Sequence, residues 1–170
     1  LDTYTKDDGE LHPWSTWPTV HRGVYNFDHQ IRFINQDLTK TKKYKPVWEI
    51  LSEQNINTGI FGSLQSYPPI NNKNISFYLP DTFAPDEKAI PQKLSQFQSF
   101  NLSMVGKNKA VSRAISNSQI NLLLTLIKKR IVSINSLNSI FLQLIKEKFN
   151  IKNKTRRPLI QNILGFDLFL

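Results

Sequence analysis

The sequence predicts an α/β fold, and three observations point to it. A helix signal beginning at Lys45 is followed by a buried-type strand, Thr58-Gly59-Ile60-Phe61-Gly62-Ser63-Leu64; helix, short loop and strand form half of a βαβ unit and imply a parallel sheet. A long loop, Gln65 to Pro91, follows with Pro68, Pro69, Pro80, Pro85 and Pro91, in the place where α/β proteins build their binding crevice. From about Ser116 the pattern turns helical, so the carboxyl-terminal part is expected to be mostly helix.

Taken in order, residues 1–17 read as an irregular segment. Asp7-Asp8-Gly9 is a turn signal, and His12-Pro13-Trp14 is expected to be extended because the residue before proline avoids helical geometry. A short helix fits Pro18 to about Val24, with Thr16 or Trp17 at the cap, Pro18 in the first turn and Gly23 ending it. Residues 26–44 are polar and turn-rich. In the helix from Lys45, Pro46 suits the first turn, Val47, Ile50 and Leu51 form the apolar stripe, Trp48 flanks it, and Asn55-Ile56-Asn57 ends it. Three later stripes predict three helices: Ile120, Leu123, Leu124, Ile127; then Leu137, Ile140, Phe141, Leu144, Ile145; then Ile160, Ile163, Leu164, Leu168. There is no internal repeat and no heptad run long enough for a coiled coil.

The chain has 170 residues, about one domain, and is 39% hydrophobic and 21% charged, which argues against general disorder. No apolar run reaches the ~18–20 residues of a membrane span; the longest, Ile120 to Ile127, is interrupted by Asn121 and Thr125, so no membrane partner is expected. The first residues lack a basic start and an apolar core, so no signal peptide is visible, and compartment is not legible. The chain starts without Met and ends inside the apolar stretch Phe166-Asp167-Leu168-Phe169-Leu170, so both ends are expected to be cuts. The absence of cysteine excludes disulfides, thiolate zinc sites and cysteine nucleophiles.

Charge divides the chain into an expected α/β part, residues 1–100, and a helical part, residues 101–170. The first carries 10 Lys/Arg against 11 Asp/Glu; the second carries 12 against 2. A basic half fits nucleic acid, an anionic surface or an acidic substrate. A basic helical module at residues 107–157 would bind nucleic acid through such residues as Lys128-Lys129-Arg130. The same stretch is rich in Asn and Lys with no aromatic residues interleaved among the basic ones, which favours solvated lysines instead.

The densest chemical cluster is His12-Pro13-Trp14-Ser15-Thr16-Trp17-Pro18-Thr19-Val20-His21-Arg22-Gly23: hydroxyls, imidazoles and a guanidinium around a predicted helix start. Such a start presents unpaired N–H groups to a phosphate or sulfate group, and a hydroxyl there can serve as nucleophile. The same hydroxyls equally suit helix capping, and the tryptophans packing. His21 and His29 read as structural.

These segments resemble the alkaline phosphatase superfamily of sulfatases, phosphodiesterases and nucleotide pyrophosphatases. Thr16-Trp17-Pro18, continuing through Gly23 to Asp28-His29-Gln30-Ile31, looks like the family's nucleophile region; Thr58-Gly59-Ile60-Phe61-Gly62 is similar to its next strand. Tyr78-Leu79-Pro80-Asp81-Thr82-Phe83-Ala84 and Arg156-Arg157-Pro158-Leu159 through Phe169 resemble a loop and a helix of a sulfatase-like subgroup. Arg22-Gly23 stands for Thr-Gly and His29-Gln30 for His-Gly, and a count back from Gly23 puts Pro13, which cannot attack, near the nucleophile position.

The resemblance implies a partial three-layer α/β/α sandwich over residues 1–170 and a hydrolase of phosphate esters, phosphodiesters or sulfate esters. With Ser63 and Gln65 where sulfatases hold the sulfate group, it favours phosphoester cleavage. It makes Thr16 the nucleophile and a ligand of one of two divalent ions, zinc by preference, with Thr19 and Ser15 as rivals. Ser63 and His12 would bind substrate, the N–H groups after Pro18 would hold developing charge, and Arg22 would brace a loop. The other metal ligands are expected outside this chain, so no ion is expected to bind it tightly and the chain alone is expected to be inactive. Its partner is then a small phosphate or sulfate ester. A relative that has lost the nucleophile and only binds a ligand is the remaining alternative.

Overall fold

The structure, a computed structural model, describes residues 12–34, 36, 38, 43–105, 117–128, 132–156 and 158–169. It is mixed α/β and mostly helical, with a two-stranded parallel sheet among the described residues. It divides into two compact units, Leu1–Lys93 and Leu94–Leu170, so the boundary falls earlier than the 100/101 expected from charge.

The first unit opens with α1, Pro13–Arg22, capped by His12 and closed by Gly23 in the left-handed region (φ 64°), whose N–H donates to the Thr19 carbonyl at 2.9 Å. The helix therefore begins a turn and a half before the expected Pro18. Pro13 is as well suited to the first helical position as Pro18, and it takes that role. Pro18 then lies inside the helix, where it forfeits one backbone bond but buries its ring fully. A single turn, α2 (Asn26–His29), follows, and α3 spans Val47–Glu53 behind Pro46.

The strand β1, Thr58–Ser63, pairs in parallel with β2, Ile75–Pro80, a strand inside what reads as proline-rich loop. The Tyr78 N–H and C=O exchange bonds of 2.6 and 2.8 Å with Ile90, which holds the returning chain against β2. The core of this unit is Trp48, Ile60, Ile75 and Tyr78, with Ile70 and Ile90 packed against it. Two burial expectations are corrected here. Val47 and Ile50 are each 47% exposed while the flanking Trp48 is buried, because α3 turns its Trp48–Ser52 face inward. Only Ile60 is buried in β1, so the strand is half-covered rather than fully enclosed. Gly59 is required there: a Cβ at this position would overlap the Phe77 ring.

The second unit contains α4 (Ser95–Val105), α5 (Asn117–Lys128), α6 (Ile134–Phe149) and α7 (Pro158–Phe169), with a 3-10 segment, Ile151–Arg156, between the last two. The helix α4, absent from the sequence reading, packs against α5 and α7; α7 in turn packs against α6. Phe97, Phe100, Leu126, Ile140, Ile160 and Leu164 are among the buried apolar residues of this unit. The expected stripe of α5 is turned: Leu126 is fully buried, while Ile120 and Leu124 are exposed. Phe141 of α6 is likewise exposed, whereas Ile160 and Leu164 of α7 are buried as their spacing predicts. Ser133 caps α6 by accepting the Ser136 N–H, and its own N–H donates to Asp167 at 2.7 Å.

Candidate functional site

In the first unit, the two ends of α1 touch the chain at and just beyond the carboxyl ends of the two strands, the edge where parallel sheets present ligand sites. Its last turn meets β1: His21 Nε2 stands 2.8 Å from the Oγ of Ser63, the final residue of that strand. Its first turn meets the loop after β2: the Trp14 ring sits edge-on to Phe83 with centroids 4.9 Å apart. Two segments far apart in sequence, 12–23 and 58–63, thus converge.

The two hydroxyl–imidazole pairs at this edge differ chemically. Nδ1 of His29 accepts the Ile31 N–H at 2.9 Å, which places the ring proton on Nε2. That nitrogen faces Thr19 Oγ1 at 2.9 Å, and the Thr19 hydroxyl donates to the Ser15 carbonyl at 3.0 Å. With no lone pair turned to Thr19, His29 cannot take its proton, so the pair ties α1 to α2. His21 has no such constraint, because its Nδ1 is buried without a partner. Burial, and then the charge of Arg22, lowers the pKa of His21 to about 4; burial and Arg22 also hold His29 near 4, so both rings are neutral at pH 7. A neutral His21 can accept the Ser63 proton, although among the described residues no side chain hydrogen-bonds its Nδ1 as in a catalytic triad; the Trp17 and Trp48 rings pack on it instead.

Of the other sequence-derived residues, His12, Ser15 and Thr16 share the start of α1. The Ser15 and Thr16 hydroxyls both donate to the His12 carbonyl, at 3.1 and 2.9 Å; Ser15 is buried and Thr16 is exposed. The backbone N–H groups of the same two residues also point to His12. The N–H groups after Pro18 lie inside α1 rather than at its start, so the anion seat expected there is not formed. Ser63 joins His21 rather than the hydroxyls of the first turns.

Beside this edge lies a cavity of about 730 Å³, and Trp14, Arg22, Trp48, Ser66, Tyr78 and Phe83 are among the residues lining it. Arg22, expected to brace a loop, turns Nε and Nη1 into buried positions with no hydrogen-bond partner; Ser66 Oγ is likewise unpaired. Burial lowers the Arg22 pKa, against smaller opposing effects of Tyr78 and Glu49. A guanidinium nonetheless keeps its charge in a protein. Tyr78 donates to the Ser66 carbonyl at 2.5 Å, and burial raises its pKa. Asp81 is also raised by burial, but its two oxygens accept the Gln65 and Phe83 N–H groups at 2.9 and 2.8 Å. The Asp81-to-Phe83 bond is an Asx turn, a signal the sequence carries in an Asp within a proline-rich loop; Arg22 and Trp48 stand out in the sequence, but nothing local places them on one cavity.

Among the described residues no three His, Cys, Asp or Glu side chains come together to hold a metal ion. The described residues alone therefore do not furnish the two-metal site that the sequence resemblance implies. No protein-family model, no curated protein and no solved structure matches the chain.

Proposed function

We propose that this chain is part of an α/β/α-sandwich hydrolase acting on small phosphate or sulfate esters, and that its first unit contributes the substrate-facing edge. One observation carries the reading: α1, which holds Thr16, meets the carboxyl end of the parallel strand β1, where its His21 stands beside Ser63. The ester class rests on the motif resemblance of residues 16–31 and 58–62 to the alkaline phosphatase superfamily.

The residues present would bind and orient substrate. Thr16 offers an exposed hydroxyl on α1, held now only to its own helix. Ser63 offers a second hydroxyl whose proton His21 can share. The test is hydrolysis of bis(4-nitrophenyl) phosphate, 4-nitrophenyl phosphate and 4-nitrophenyl sulfate by the protein made from its complete reading frame, with and without zinc. Cleavage of the phosphate diester is expected, falling by about 100-fold or more in Thr16→Ala, as loss of a nucleophile requires. Turnover unchanged in Thr16→Ala removes that residue from the chemistry. No turnover of any ester, with intact ligand binding, replaces the hydrolase by a binding protein.

A further inference from the structure

We propose that the cavity of the first unit binds a small organic anion with a flat aromatic body, its charged group on Arg22 and its ring among Trp14, Trp48, Tyr78 and Phe83. This site does not depend on the hydrolase reading. None of Thr16, Ser63 or His21 lines the cavity.

Three features argue for the assignment. The volume, about 730 Å³, lies in the range of pockets that enclose drug-sized molecules. Two residues of its lining hold buried polar atoms with no hydrogen-bond partner, and these atoms are donors or can donate: two guanidinium nitrogens of Arg22 and the Ser66 hydroxyl. These atoms are closed to solvent in the unliganded protein, so an anion reaches them by a turn of the Arg22 or Ser66 side chain towards the cavity both residues line, and doing so supplies the acceptor they lack. The aromatic rings supply the apolar wall, with Trp48 and Tyr78 already edge-on at 6.2 Å between centroids.

The acidic groups facing the cavity form no ion pair with Arg22. Asp81 is occupied by two backbone N–H groups. Glu49 lines the cavity without forming an ion pair to Arg22, and Lys45 is paired with Glu53. A carboxylate or phosphate monoester accepts from a forked guanidinium and suits this donor set; a cation does not.

Calorimetric titration of the full chain at pH 7 tests the site, with 1-naphthyl phosphate and 1-naphthoate as probes and 1-naphthol, inorganic phosphate and benzamidine as controls. Saturable one-to-one binding of the two naphthyl anions is expected, with the uncharged, ring-less and cationic controls weaker by roughly tenfold or more, the worth of a charged hydrogen bond. Arg22→Gln should weaken the naphthyl anions by a similar factor. Glu49→Gln should strengthen them. If Arg22→Gln does not fold, Ile34→Trp decides, since Ile34 is 38% exposed on the cavity lining and the larger side chain would obstruct it. Naphthol or benzamidine binding as tightly as the anions overturns the proposal. Undiminished affinity in folded Arg22→Gln, or in Ile34→Trp, overturns it as well. Because the readout is binding, a protein that hydrolyses no ester leaves this test intact.

Discussion

The two units bury polar side chains in opposite ways. In the second unit they satisfy one another: Gln161 donates to Asn101 at 3.0 Å and Asn101 faces Gln98, while Gln143 donates both to Glu147 at 3.1 Å and to the Asn153 carbonyl at 3.0 Å. Among its described residues only Gln96 Oε1 is buried without a partner. The first unit instead leaves atoms of Arg22 and Ser66, two residues that line one cavity, buried and unpaired, together with His21 Nδ1. A closed polar network fixes how helices pack; donors left open around a cavity mark a place to bind something. The difference is not one of charge: the second unit holds the basic excess, 12 Lys/Arg to 2 Asp/Glu, yet it is the near-neutral first unit that buries an unpaired guanidinium.

The comparison breaks first at Gln143. Replacing it by Leu strips a donor from the buried Glu147 and from the Asn153 carbonyl, and should cost about 2–3 kcal/mol, the loss expected when buried acceptors, one a carboxyl, lose a partner. Far-UV circular dichroism in urea reads this, because most helical residues lie in the second unit. A cost under about 0.5 kcal/mol would mean that the network is not closed in solution and the contrast fails.

Gly59→Ala probes the first unit's sheet. The added methyl meets the Phe77 ring, and overpacking of that kind costs about 1–3 kcal/mol. All three tryptophans, at 14, 17 and 48, lie in the first unit, so their emission follows its unfolding separately from the helical signal. An unchanged urea midpoint for tryptophan emission would place Phe77 elsewhere.

How much of this was written in the sequence differs by level. Gly23 announced the end of α1 because only the left-handed region closes the helix there, and Pro46 with the stripe behind it announced α3. The parallel pairing of β1 followed from helix, loop and strand in succession. The strand β2 was hidden: Ile75 to Leu79 alternates weakly and ends on a proline, which reads as loop until the pairing with β1 is seen. The helix α4 was hidden because Gln, Ser and Asn dilute its Phe97–Phe100 face, and two of those polar residues are buried by mutual hydrogen bonds that no periodicity encodes. At the site, His12, Ser15 and Thr16 share the start of α1 because they are near neighbours in sequence, but the Ser63–His21 pair spans 42 residues and the cavity lining draws Arg22, Trp48 and Ser66 from separate segments. Proximity of that range is a property of the fold.

Acid separates the units next. His12, His21 and His29 all belong to the first. For His21 and His29 the folded pKa, about 4, lies below the ordinary 6.5, so the unfolded chain takes up protons first as pH falls. Their contribution to stability is complete above pH 6.5 and is lost progressively towards pH 4. The tryptophan-detected urea midpoint should therefore fall across that window, while substitution of both histidines by Asn flattens the fall. Imidazole proton shifts that titrate near 6.5 in the folded protein would show that the rings are solvated and that the polar contacts at the edge of β1 are open.

The smallest effect is the sharpest contrast with Gln143. Ser66 Oγ is buried and bonded to nothing, so Ser66→Ala removes a desolvated hydroxyl without orphaning a partner. Stability should change by no more than about 0.5 kcal/mol, or rise slightly, since deleting an unsatisfied polar atom relieves its burial cost. The Tyr78 bond to residue 66 survives because it ends on the backbone carbonyl. The same substitution should weaken binding of a naphthyl anion, though less than Arg22→Gln does, because a neutral donor contributes about half of what a charged one does. A variant that loses stability and keeps full affinity would make Ser66 a structural residue with a partner in solution, and the first unit would then satisfy its buried groups as the second does.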